Sequence, residues 1–191
     1  MSKVKNVLAA VIVALSLSSA VATDMDEPVC LSKVNITGPR MGMTGVVGHG
    51  KFYDEIKSHE MNAAYSQFGW HFEFKVAPDG YTPSFVFEII PLIGGIEYGL
   101  AIPSLTLPIG VRLQNGFELG MGPNLVMGYP NFSTSIVIAA GKTFSYHGVG
   151  LPINIAVATG KGGTAASLLF GYAIVKSKER IEPMASGENC E

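Results

Sequence analysis

The sequence predicts an all-β protein that folds as an antiparallel up-and-down β-barrel of about eight strands. Apolar and polar residues alternate with a period of two through most of the chain beyond residue 35. Glycine-rich turn signals separate the alternating runs. Of the 191 residues, 15% are charged and 23 are glycine, a composition typical of neither a disordered chain nor a coiled coil.

A secretory signal peptide is predicted over residues 1–22. Two lysines precede an apolar run that ends on Ala20-Val21-Ala22 before acidic residues. A membrane-spanning anchor is the alternative, but the apolar run is shorter than the roughly 20 residues that a helix needs. An N-terminal segment (23–37), a barrel domain (38–176) and a C-terminal tail (177–191) follow. The net charge of −2 would become more negative on cleavage, so nucleic-acid binding is not expected.

Alternation is clearest from Phe68 to Val76, where aromatic residues occupy one face and Gly69, His71, Glu73 and Lys75 the other. Leu105 to Leu113 alternates in the same way. The Asn115-Gly116 pair that follows predicts a hairpin turn and a return strand. Further strands are predicted at about 40–48, 84–92, 133–142, 149–158 and 164–175, with a turn at 160–163 and a long polar loop over 51–64.

The composition of the face opposite the aromatic residues, the second face, indicates which side of the sheet forms the barrel interior. In a soluble barrel that face would meet water and be rich in charge, but here it is mostly glycine, alanine and serine. Small residues suit the narrow interior of an eight-stranded barrel. The apolar face is therefore predicted to meet lipid, the alternative being an aromatic core between packed sheets. The aromatic residues expected there are Tyr65, Phe68, Trp70, Phe72, Phe85, Phe87, Phe117, Phe170 and Tyr172.

Five charged residues lie on the small-residue face. An isolated charge in a narrow lumen would be costly, so these residues are expected to pair inside the barrel as a network. The alternative is that they are solvated surface residues. The five are Glu73, Lys75, Glu88, Arg112 and Glu118.

The two cysteines, Cys30 and Cys190, lie near opposite ends of the chain. Export would place them in an oxidising compartment, where they are expected to form a disulfide. An even number of strands would bring both chain ends to one side of the barrel. Two unpaired thiols in the terminal segments are the alternative.

Three segments resemble parts of uncharacterised bacterial exported β-barrel-like proteins. They are Phe68 to Glu73, Gly116 to Asn124 and Leu151 to Val157, within a resemblance over about 38–175. The resemblance implies a bacterial envelope location and no known reaction, so no catalytic residue is carried over from it.

No catalytic residue, cofactor or metal site is predicted. The histidine–serine pairs His147 with Ser145 and His71 with Ser66 are too unspecific to indicate a lipid-modifying enzyme. The expected function is a small, non-enzymatic outer-membrane barrel with a structural, adhesion or envelope-interaction role. Its partner would be membrane lipid, and the sequence does not identify a protein partner. The alternative is a periplasmic or secreted soluble barrel that binds an apolar ligand along its aromatic face.

Overall fold

The computed structural model describes residues 35–47, 54, 64–76, 83–113, 115–128, 132–146 and 149–173. Strands make up most of this part of the chain, and one short 3-10 helix, Ile96–Tyr98, lies between two of them. Among the described residues, no helix has both the length and the apolar character to cross a membrane. The strands are β1 (Gly38–Val47), β2 (Ala64–Val76), β3 (Ser84–Gly94), β4 (Ile102–Thr106), β5 (Ile109–Arg112), β6 (Phe117–Met127), β7 (Phe132–Tyr146), β8 (Val149–Gly160) and β9 (Gly163–Gly171).

These strands form one closed antiparallel barrel. Successive strands pair with one another, except that β4 and β5 both lie between β3 and β6, and β9 returns to pair with β1, where Gly171 lies opposite Arg40. Every pairing is antiparallel, as short connections between successive strands require. The predicted fold class, an up-and-down barrel of about eight strands, is confirmed.

Nine strands fill eight positions because β4 and β5 are two halves of one strand. Thr106 lies opposite Ile90 and Ile109 lies opposite Phe87, so both halves keep the same register against β3. The interruption falls at Pro108, which has no N–H to donate to a ladder. The carbonyl of Pro108 still accepts a hydrogen bond from the Glu88 N–H at 3.0 Å. The proline thus interrupts the strand without shifting its register.

The two described ends of the chain lie side by side. The Tyr172 N–H donates to the Pro39 carbonyl at 3.3 Å, next to the start of β1 and the end of β9. We call this end of the barrel the terminal end and the opposite end the loop end. The terminal end carries the connections 77–83, 113–116 and 147–148, whereas the loop end carries 48–63, 95–101, 128–131 and 161–162.

Most predicted strands occur within a few residues of their expected bounds. The Asn115-Gly116 turn is present, and Gly116 has the positive φ of 76° for which glycine was expected there. The turn between β8 and β9 is also present at 160–163. The signal peptide, the C-terminal tail over 177–191, both cysteines and nearly all of the loop over 51–63 lie outside the described residues.

Candidate functional site

The outer face of the barrel is apolar on every strand. In the described strands, one charged residue lies in an outward-facing row. It is Lys142 on β7. Its Nζ lies 5.3 Å from the centre of the Phe144 ring, within range of a cation–π contact. Exposed large side chains on the outer face include Met41, Met43, Phe74, Ile109, Leu119, Met121, Phe132, Ile136, Ile138, Ile153 and Leu168.

The eight other predicted lipid-facing aromatic residues lie on this outer face, but Tyr65 does not. Tyr65 points into the barrel, is 2% exposed and packs with Val46 and Ile102. Its predicted outward position is wrong because it lies in the same alternating row as Gln67 and His71, not in the row of Phe68. Those eight aromatic residues are Phe68, Trp70, Phe72, Phe85, Phe87, Phe117, Phe170 and Tyr172, and all but Phe87 and Phe117 are well exposed.

The centre of the charged cluster is Arg112, which lies inside the barrel at the terminal half of β5. Its Nη1 donates to Glu73 Oε1 at 2.7 Å, and its Nη2 donates to the other Glu73 oxygen. Its Nε donates to Glu118 Oε2 at 2.7 Å, and Nη2 reaches that oxygen too. The side chains of Arg112 and Glu73 are 1% and 0% exposed. One guanidinium therefore holds the Glu73 carboxylate of β2 in the bidentate geometry that Arg favours, and also one oxygen of Glu118 on β6.

A second group surrounds His71 on β2. Its Nδ1 lies 2.7 Å from the Ile36 carbonyl, and its Nε2 lies 3.3 Å from Glu88 Oε2. Arg40 Nη2 donates to the same Ile36 carbonyl at 2.9 Å and lies 3.0 Å from His71 Nδ1. Glu73 and Glu88 are opposite one another in the pairing of β2 with β3, so the two groups are adjacent. We call the six side chains Arg40, His71, Glu73, Glu88, Arg112 and Glu118 the lumen cluster.

Of the five charged residues expected in an internal network, Glu73, Glu88, Arg112 and Glu118 lie in the lumen cluster. Lys75 lies in the same inward row of β2, half-buried and opposite Val86. Sequence reasoning did not include Arg40. The sequence did contain the signal for its inward position. Arg40, Gly42 and Thr44 alternate with the outward-facing methionines of the same strand, so Arg40 belongs to the inward-facing row.

The loop half of the lumen is lined by hydroxyl and amide groups instead of charges. Thr44 Oγ1 donates to Gln67 Oε1 at 2.8 Å and lies 2.6 Å from Ser167 Oγ. Thr106 and Asn124 form a similar pair across β4 and β6 at 3.0 Å. The cavity along the lumen has a volume of ≈ 110 Å³, below the roughly 300 Å³ at which small-molecule sites begin.

His71 and Ser66, the one histidine–serine pair of which the structure describes both members, do not form a catalytic site. His71 faces the lumen, whereas Ser66 faces outward at the loop end, where its Oγ donates to Glu97 Oε2 at 2.7 Å. An odd spacing of five residues along one strand places the two side chains on opposite faces. His147 lies outside the described residues.

No family model and no curated protein matches this chain. The resemblance to bacterial exported β-barrel proteins therefore stays a prediction. What the chain can do must be inferred from the two surfaces described above, an apolar exterior and a lumen that is charged at one end.

Proposed function

We propose that the protein is a small, non-enzymatic outer-membrane β-barrel with a structural or envelope-interaction role. The observation that carries the proposal is the distribution of polarity. Arg112 and Glu73 form a buried ion pair inside the lumen, while large apolar side chains cover the outer face of the barrel. A soluble barrel needs the reverse arrangement, because water must solvate its outer face.

The connections between strands support an orientation for the barrel. In outer-membrane barrels the periplasmic turns are short and the extracellular loops are longer. The longest connection, 48–63, lies at the loop end, and the connections at the terminal end are shorter. We therefore assign the terminal end to the periplasm and the loop end to the cell exterior.

The lumen supports a role that does not involve solute passage. An eight-stranded barrel has an interior just wide enough for side chains to fill. Arg112, Glu73 and Glu118 cross that interior near the terminal end and bond to one another from three strands. Molecules that enter from the loop end would meet this cluster before reaching the periplasm. The protein would thus act through its loops and its surface, in contact with lipid.

The alternative, a soluble barrel that binds an apolar ligand, has less support. It requires the aromatic face to line the cavity, yet residues such as Phe68 and Phe85 point outward and are 50% and 54% exposed. An apolar ligand would also have to replace hydrogen-bonded groups such as Gln67 and Thr44 inside the lumen. Desolvation of those groups opposes apolar binding.

The experiment that tests the proposal is detergent dependence after export. The full chain would be expressed with its signal peptide. The exported, mature protein should then sediment with the outer-membrane fraction and leave that fraction only in detergent. On a gel, the unheated sample should migrate differently from the boiled one, because a folded barrel resists detergent unfolding. A monodisperse, folded protein in plain buffer would overturn the proposal and favour the soluble alternative.

A further inference from the structure

We infer that His71, Glu73 and Glu88 form a binding site for a divalent transition-metal ion of the Zn²⁺ class inside the barrel. The inference goes beyond the proposed envelope role. It does not depend on membrane insertion, because the same side chains would meet in a soluble barrel. The three residues lie on the adjacent strands β2 and β3 and face the lumen.

The ligand geometry is the first argument. One nitrogen or oxygen atom from each of the three residues lies within 4.8 Å of the others. His71 Nε2 and Glu88 Oε2 are 3.3 Å apart. Two ligands at about 2.0 to 2.1 Å from one tetrahedral Zn²⁺ ion are roughly 3.3 to 3.5 Å apart. This pair therefore already has the separation of two zinc ligands, and Glu73 is near enough to supply a third.

An unpartnered atom in the same place is the second argument. Glu88 Oε1 is buried and receives no N–H or hydroxyl donor among the described residues, and the neighbouring Glu118 carboxyl group can bond to Glu88 only when one of the two carboxyl groups is protonated. The side chains of His71 and Glu88 are only 5% and 8% exposed. A buried carboxylate oxygen without a partner is costly, and such groups in proteins are paired or coordinate metals. A metal ion beside Glu88 would satisfy this oxygen.

The orientation of the imidazole is the third argument. In the tautomer with the proton on Nδ1, His71 donates to the Ile36 carbonyl at 2.7 Å, and Arg40 Nη2, which lies 3.0 Å from the same nitrogen, donates to that carbonyl and not to the ring. The Nε2 lone pair then points toward Glu88. Metal-binding histidines commonly have this arrangement, in which the second ring nitrogen donates to a backbone carbonyl.

The charge balance is compatible with a bound cation. With a neutral imidazole, the lumen cluster holds three carboxylates against the guanidinium groups of Arg40 and Arg112. With all three carboxylates ionised, one negative charge would be in excess, and a bound cation would favour that ionised form. Arg112 occupies both oxygens of Glu73, but a carboxylate oxygen has two lone pairs and can accept a metal as well. One imidazole with two carboxylates suits Zn²⁺ better than Ca²⁺ or Mg²⁺, which prefer all-oxygen sites.

The test is calorimetric titration of Zn²⁺ into the tag-free, folded mature chain with its cysteines alkylated. We expect one ion per chain. His71→Gln and Glu88→Gln should weaken binding at least about 100-fold, since loss of a partner that merely orients a ligand already costs 10 to 100-fold. Glu118→Gln is the control for charge, because it removes a carboxylate that lies beside Glu88 and bonds to Arg112 but is not one of the three proposed ligands. It should weaken binding less than about tenfold.

Two results would overturn the inference. One is wild-type affinity no higher than that of His71→Gln. The other is an equal loss in Glu118→Gln and His71→Gln, which would mean that charge alone attracts the ion. If the variants fail to fold, electron paramagnetic resonance decides, with Cu²⁺ bound to a chain in which the three other histidines, His49, His59 and His147, are replaced by Gln. Hyperfine coupling to one imidazole nitrogen supports the site, and coupling to none rejects it.

Discussion

Arg112 and Glu73 are 39 positions apart in the chain, and their side chains form a bidentate ion pair inside the barrel. Arg112 is on β5 and Glu73 is on β2, with β3 between them. Their pairing therefore depends on the register of two strand pairs as well as on local alternation. The guanidinium group of Arg112 also bonds to Glu118 on β6. One side chain therefore links three strands across the lumen.

Replacement of Arg112 by Met should strongly destabilise the barrel. Glu73 and Glu118 would stay buried without their shared partner, and breaking a buried ion pair from one side costs about 3 to 5 kcal/mol. Urea unfolding in detergent or lipid, followed by gel mobility, measures the loss. Glu73→Gln combined with Arg112→Met should recover part of it, because the double variant leaves one fewer charge unpaired. An unchanged unfolding midpoint in Arg112→Met would contradict this role.

Replacement of Phe72 by Lys should block membrane insertion. Phe72 lies opposite Ile89 at the centre of β3 and is 43% exposed on the outer face. A cation on the lipid face costs about 2 to 4 kcal/mol at the bilayer midplane and about 0 to 1 near the interfaces. Tyr172→Lys, beyond the last residue of β9, is the matched control and should insert normally. Normal outer-membrane recovery of Phe72→Lys would count against the lipid-facing assignment.

Replacement of Gly42 by Ala should weaken the junction between the first and last strands. A Cβ atom at Gly42 would lie 1.9 Å from the Leu168 carbonyl oxygen on β9. Backbone cannot move aside as a flexible side chain can, and strain of this kind typically costs about 1 to 3 kcal/mol. At Gly120 the same substitution meets nothing closer than 3.5 Å. Gly120→Ala should therefore change the free energy of unfolding by less than about 0.5 kcal/mol, and equal effects of the two substitutions would contradict the close approach.

A disulfide between Cys30 and Cys190 stays a prediction that thiol labelling can test. The first and last described residues lie at the same end of the barrel, where Tyr172 bonds to Pro39, so the fold allows the two terminal segments to meet. Denatured mature protein should label with a thiol reagent only after reduction. Equal labelling with and without reduction would show that both thiols are free.

Local alternation predicted the strands and most inward-facing charges because the side of a sheet depends only on the position of a residue within its own strand. It also predicted that Glu73 and Arg112 point inward. It could not predict that His71 meets Glu88, because the contact depends on the pairing register of β2 with β3. A one-residue shift in register would change every such contact, and register is not encoded locally. The candidate metal site was missed for this reason.

The same limit applies to Arg40. Its strand alternates weakly, with methionines facing outward and glycine, threonine and arginine facing inward. Its partners, the Ile36 carbonyl and His71, come from the segment before β1 and from the neighbouring strand. Only the assembled barrel brings these groups to one place.

The most direct test of the account uses Trp70, the one tryptophan of the chain, which points outward from β2. The folded protein would be reconstituted in vesicles whose lipid acyl chains carry bromine, and its fluorescence compared with that in unbrominated vesicles. We predict strong quenching by the brominated chains and little quenching by aqueous iodide, because the indole ring would lie in lipid. Quenching by iodide alone would place Trp70 in water and contradict the outer-membrane assignment.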